Sequence, residues 1–385
     1  MRILRRAGVG ALVSLIPGAA GAQQERGAFV ATLGTDTVAV ERFTRSRDRI
    51  EGDVLMRAPR ARVVHYVATL TPAGTVSRYE LAVRPLTPGG PVSFSNAVMV
   101  ITGDSARVTL TRNGRDTTMA MAGARGGVPM IGAGWAMYEQ ALRQAAAAGR
   151  DSTPVTLLFP GAPTPQTTKV VREGDSVRVD YFGDPAYALL DRTGRLTRWQ
   201  GLRTTNKVIV ERLPDVDLAP LERAFAQREA TAGPAGQLSP RDTVRATVGR
   251  AHLLVDYGRP MKRGRAIFGG IVPWNAVWRT GANAATQFTT DADLVVGGQP
   301  IPAGTYTLWT VPSREGSKLI FNKQTGQWGT EYDAAQDLVR VNLATESARS
   351  PAEQFTIAVE PRGAGGVLRF VWDTTQLSVP FTVKP

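Results

Sequence analysis

Between residue 27 and about residue 125, apolar and polar side chains alternate in short runs. DTVAVERF (36–43) brings Val38, Val40 and Phe43 near one face, with polar residues between them. RVVHYVATL (62–70), YELAVRPL (79–86) and AVMVITG (97–103) behave in the same way, and Gly/Pro clusters such as TPAGT, TPGGP and NGRD divide them. Period-two alternation with one wet face, cut at regular intervals by turn residues, predicts an antiparallel meander. The period changes at 133–149, where Trp135, Tyr138 and Leu142 recur at helical spacing in an alanine-rich segment that ends at Gly149. Strands resume with TPVTLLF, TTKVVRE, DSVRVDYF, AYALLD and TTNKVIVERL, with a hairpin turn expected around Gly194. A second helix is predicted over 218–230, with Leu221, Ala224 and Phe225 on its apolar side.

The stretch 230–238 is rich in Ala, Gly and Pro and has no periodicity, so it reads as a linker. Beyond it come about ten short strands with almost no helical pattern, and Val379 and Phe381 near the end are expected in a core. The predicted fold is mainly β with two domains. Residues 23–229 form an antiparallel curved sheet with one or two helices, and residues 239–385 form a β-sandwich or jelly roll.

The first 22 residues change the picture of where this fold works. MRILRR is basic, AGVGALVSLIPGAA is a short apolar run, and Ala20-Gly21-Ala22 offers a small-x-small cleavage pattern before Gln23. This is the layout of a secretory signal peptide, which predicts a periplasmic or secreted mature chain. No later run is apolar for long enough to span a bilayer as a helix.

Composition mostly removes chemistries. The chain has no cysteine, which excludes disulfides, thiolate ligands and a thiol nucleophile. Its two histidines, His65 and His252, lie in different predicted domains, and no HExxH, GxSxG, SxxK or P-loop lysine motif occurs. No metal, cofactor or catalytic residue is therefore assigned. The net charge is +13, and only six of the 46 basic residues are lysines. The arginines are scattered without a basic run, so a solvated surface is expected and no nucleic-acid partner.

One segment concentrates recognition chemistry. DYGRPMKRGRAIFGGIVPWNAVWRTGAN (256–283) carries Tyr257, Arg259, Arg265, Trp278, Arg279 and Asn283 on a long connection between strands. Aromatic faces stack on rings and sugars, and guanidinium forks hold carboxylates or phosphates. A second polar-aromatic loop, FNKQTGQWGTEYD (321–333), adds Lys323 and Trp328. The same residues also suit a plug, with Phe268 and Trp278 closing the end of a sandwich and Arg279 bonded to buried carbonyls.

Several ordered motifs carry a resemblance. Ser239-Pro240, Asp256-Tyr257-Gly258-Arg259-Pro260, Ile267-Phe268-Gly269-Gly270, Val272-Pro273, the WRTGAN run from Trp278 to Asn283, Pro302 to Tyr306, Phe321-Asn322-Lys323 and Trp328-Gly329 occur in sequence. Residues 239 to about 383 resemble an uncharacterised bacterial domain family of unknown function whose members look exported. The resemblance implies a β-rich fold and brings no activity. Where the family pattern has K-G-R, this chain has Lys262-Arg263-Gly264-Arg265, with an arginine inserted.

Three functions fit. The first is a non-catalytic module binding a small anionic or sugar-like ligand through Tyr257, Arg259, Arg265, Trp278, Arg279, Asn283, Lys323 and Trp328. The second is a carboxylate-dependent hydrolase, with Asp256, Glu331, Asp333 and Asp373 nearest the aromatic segments. The third is an envelope scaffold or apolar-ligand carrier working through the N-terminal domain. Oligomeric state is not legible in the sequence.

Overall fold

The computed structural model describes residues 24–181, 184–202 and 207–385. The leader expected at 1–22 lies outside the described residues, as do Phe182 of DSVRVDYF and the first residues of TTNKVIVERL. The protein is mainly β, as its alternation predicts. Among the described residues, two antiparallel meanders join edge to edge into one fifteen-stranded sheet. The first meander runs through eight strands, from Glu25–Leu33 to Arg115–Ala122. The second returns to Ile209–Leu213, which pairs antiparallel with Glu25–Leu33 and so closes the join. The short strand Val128–Pro129 is the exception to the antiparallel rule, because it pairs parallel with Ser152–Leu158.

The connection that makes this parallel pair possible is helix α1 (Trp135–Ala147). Residues 135 to 142 are all buried, so the helix presents no wet face at its start. A helix covered all round sits inside a core rather than on one, and α1 shares a single core with Phe29, Phe43, Ile50, Tyr66, Tyr79 and Trp199. The sheet therefore wraps around it. Helix α2 (Leu218–Ala232) does the opposite. Only Leu218 is buried, and Leu221 and Phe225 rest on the outer face of the sheet over Val40, Leu55 and Val63. Asp217 caps its start by accepting from the Ala219 N–H at 3.0 Å.

Residues 241–383 form two facing sheets. Six strands run in the order Arg241–Val248, Ala251–Gly258, Thr286–Thr290, Gly304–Val311, Lys318–Asn322 and Asp337–Asn342. Four more, including the long hairpin Ala344–Arg362 and Gly365–Val383, form the second sheet. Val255, Phe288, Leu308 and Phe321 from one sheet meet Phe355, Phe370, Trp372 and Phe381 from the other. This is the expected sandwich, with Val379 and Phe381 buried.

Candidate functional site

The segment 259–285 leaves one strand of the sandwich and returns to the next. Its ends are held by backbone packed on backbone. A Cβ at Gly258 would lie 2.1 Å from the Ala282 carbonyl oxygen, so no larger residue fits there without movement. The WRTGAN run is an ordered bend. Trp278 exchanges backbone hydrogen bonds with Thr310 at 2.8 and 2.9 Å. Thr280 and Asn283 both take left-handed φ values, 51° and 63°. That conformation is unfavourable for β-branched Thr280, whose carbonyl accepts from the Thr286 hydroxyl at 2.8 Å. The WG pair of the second loop explains itself here. A Cβ on Gly329 would meet the Arg279 Cδ at 2.2 Å, and the Gly329 N–H donates to the Asn283 carbonyl at 3.0 Å.

The inserted Arg263 is the joint between the domains. It has a left-handed φ of 50°. Its carbonyl accepts from the Thr35 N–H at 3.1 Å, and its guanidinium pairs with Asp36. Arg57 reaches the same carboxylate at 3.3 Å. Partial burial pushes the Asp36 carboxyl up, but Arg263 and Arg57 outweigh it and hold the carboxyl below its usual range.

This docking creates a cleft of about 230 Å³ between the domains. Leu33 and Pro59 of the N-terminal domain form one wall, and Trp278, Trp372 and Ile271 of the sandwich form another. Lys207, Arg265, Arg279 and Asn283 supply polar atoms, and among the described residues no carboxylate lines it. Arg265 donates from Nε to the Lys262 carbonyl at 2.9 Å and from Nη2 to the Met261 carbonyl. Burial lowers its pKa from the usual arginine value. Lys207 Nζ donates to the Leu202 carbonyl at 3.0 Å.

The eight residues expected at a site divide into three groups. Arg265, Trp278, Arg279 and Asn283 line the cleft together. Tyr257 and Arg259 point elsewhere. Tyr257 is buried against Phe355, and its hydroxyl accepts from the Ile357 N–H at 3.0 Å. Arg259 spends its donors on Asp242, the Phe355 carbonyl and the Thr356 hydroxyl. Lys323 and Trp328 are exposed and do not line the cleft. Trp278 combines both roles weighed for it, since it lines the cleft while stacking on Trp372 at 5.8 Å in the core. Lys207, Leu33 and Pro59 escaped the sequence reading because they come from the other domain. The only signal at Lys207 was that lysine is rare in this chain.

The four carboxylates considered for hydrolysis are apart in their partners. Asp256 pairs with Arg241 at 2.9 Å and Asp373 with Lys262 at 2.6 Å. Glu331 accepts from the Trp328 N–H, and Asp333 caps a short 3₁₀ turn. His65 sits beside Asp53 and His252 beside Asp291, each on its own strand. No group of three or more His, Asp or Glu side chains suited to a metal occurs among the described residues. Nor is any helix among them long and apolar enough to cross a membrane.

Among known proteins, no curated protein matches this chain. The chain is similar to a crystal structure titled a beta-barrel-like protein of domain of unknown function DUF1849 from Brucella abortus. The identity is 13%, the match covers 49% of this chain and 93% of that one, and the TM-score is 0.31. Residues 239–381, the sandwich that supplies most of the cleft's polar atoms, match the model of a family described as "Protein of unknown function (DUF2911)".

Proposed function

We propose that the protein is an exported binding module that holds a small anionic ligand in the cleft between its domains. The observation that carries this is the lining itself. Lys207, Arg265 and Arg279 face a small cleft with two tryptophans and, among the described residues, no carboxylate. Cations in a partly dry site attract carboxylates and phosphates more strongly than they would in water. The left-handed Thr280 supports the same reading, because backbone strain tends to be kept where a ligand site needs a fixed shape. With the leader expected at 1–22, the reading is of a module that works in the periplasm or outside the cell.

A thermal-shift screen of the mature chain against small carboxylates and phosphates tests this, with Lys207→Gln and Arg265→Lys beside the wild type. An anion should raise the wild-type Tm and raise that of the variants less. An equal response in all three proteins, or none, would sink the proposal. N-terminal sequencing of the secreted protein should begin at Gln23.

A second observation favours the apolar-carrier reading of the N-terminal domain. A groove of about 300 Å³ opens there, walled by Met56, Val64, Val83, Phe94, Ile131 and Phe159.

A further inference from the structure

The groove and the cleft meet at one residue. Pro59 lines both, because the turn between strands Arg49–Met56 and Arg62–Leu70 stands between them. That turn is braced from three sides. Arg62 Nη1 donates to the Ala58 and Arg60 carbonyls at 2.9 and 3.0 Å. The Ala61 N–H donates to Glu229 of α2 at 2.6 Å, and the Gly236 N–H of the linker donates to the Pro59 carbonyl at 2.8 Å. A wall fixed in this way gives the two cavities a constant relation.

Their chemistries are complementary. The groove is mainly apolar, with two cations at its edge. Arg62 is held by the turn's carbonyls, and Arg60 lies 3.6 Å from Glu229. The cleft adds Lys207, Arg265 and Arg279, and among the described residues neither cavity is lined by an acid. An apolar tail gains from the first environment and an anionic head from the second.

We infer that the two cavities form one site for a single-chain amphiphile, with its anionic head in the cleft and its alkyl tail over Pro59 in the groove. This inference rests on the anion-binding reading of the cleft.

The test is titration calorimetry of the mature chain with butyl, octyl and dodecyl phosphate below their micellar concentrations, beside inorganic phosphate and dodecanol. Affinity should rise roughly fourfold per methylene along the series, as buried alkyl groups do, with one molecule bound per chain. Inorganic phosphate and dodecanol should each compete with dodecyl phosphate. Val83→Trp, which fills the groove, should erase the gain from longer tails and spare butyl phosphate. Lys207→Gln should weaken every phosphate by about tenfold and leave dodecanol unchanged. The competition needs no variant, so a misfolded Val83→Trp would not decide the matter. If phosphates bind without regard to tail length, or dodecanol does not compete with dodecyl phosphate while inorganic phosphate does, the joined site is wrong and the cleft reading survives. If no phosphate binds at any length, both fall.

Discussion

The two domains keep their polar groups in different places. The N-terminal domain buries charge at its centre. Glu41, on the strand Asp36–Arg45, accepts from the Trp135 and Ala136 N–H groups at the start of α1 and from the Tyr66 hydroxyl. Glu139 of α1 pairs with Arg45, Arg143 and Arg212, and it also accepts from the Leu196 N–H. The sandwich is centred on aromatics, with Trp278, Phe355 and Trp372 in mutual contact, and among its described residues Arg279 is the one buried charge. A helix whose start is enclosed has orphan N–H groups that must find partners inside. A sandwich whose strands satisfy their own backbones has no such need. The charged core of the first domain is therefore a consequence of enclosing α1.

Breaking the aromatic core should have the largest effect. Trp372→Ala should cost the sandwich about 4 kcal/mol, the range for emptying a large aromatic site. Calorimetry should show one transition falling while that of the N-terminal domain holds. Movement of both transitions together would mean that the domains do not keep separate cores.

The charged core should respond next, and with a different signature. Glu41→Leu leaves three donors without their acceptor and should cost the N-terminal domain about 3 kcal/mol. Burial raises the Glu41 carboxyl to about 7, against the pull of its hydrogen bonds from Tyr66, Ala136 and Trp135, with nearby Glu139 pushing it further up. A raised carboxyl pKa means that the folded state holds the proton more tightly than the unfolded state does. The contribution of Glu41 is then fully present below about pH 4.5, declines as pH rises, and is gone above about pH 7. Glu41→Gln removes that titration while keeping an acceptor for the helix. The stability difference between wild type and Glu41→Gln should drift by about 3 kcal/mol between pH 4.5 and 7.5, the value of a shift this large. Denaturant melts across that range measure it, and a constant difference would contradict the assignment.

The joint between the domains is the third point of attack. Arg263→Ala removes the partner of Asp36 in a half-buried pair and should cost about 1 kcal/mol. Its clearer mark should be a looser domain arrangement, seen as a larger radius of gyration in small-angle scattering. An unchanged radius would mean that the remaining contacts suffice. The smallest effect is expected at Trp328→Ala, where the side chain is 40% exposed. Its Tm should change by no more than about 0.5 kcal/mol allows. A loss of several kcal/mol would show that the second loop does more for the fold than its exposure suggests.

These differences also explain what could be read in the sequence. The meanders, both helices and the sandwich were legible because alternation and helical spacing are local. The start of α1 was not. Gly134 offers no side-chain cap, and the acceptor comes from Glu41, far away in the chain. On the sandwich side of the cleft, Arg265, Trp278, Arg279 and Asn283 stood out because a long connection held dense polar and aromatic chemistry. Tyr257 could have been set aside by the same alternation that found the strands. It shares its side with Leu253 and Val255, all three buried. Lys323 and Trp328 follow the first loop in sequence, and their loop pairs with its far end through Gln327, Trp328 and Gly329 without reaching the cleft, so order along the chain overstated their nearness to it. The opposite wall needed the fold, since nothing local links Leu33, Pro59 and Lys207. The inserted Arg263 looked like a local irregularity and proved to be the contact that sets the two walls together.

The central claim is that this contact creates an anion site between the domains. A crystal structure of the mature chain grown with saturating octyl phosphate tests it most directly. The account predicts the phosphate within hydrogen-bond distance of Lys207 or Arg265 in the cleft. A ligand bound elsewhere on a fully ordered chain, with the cleft filled only by solvent, would contradict it.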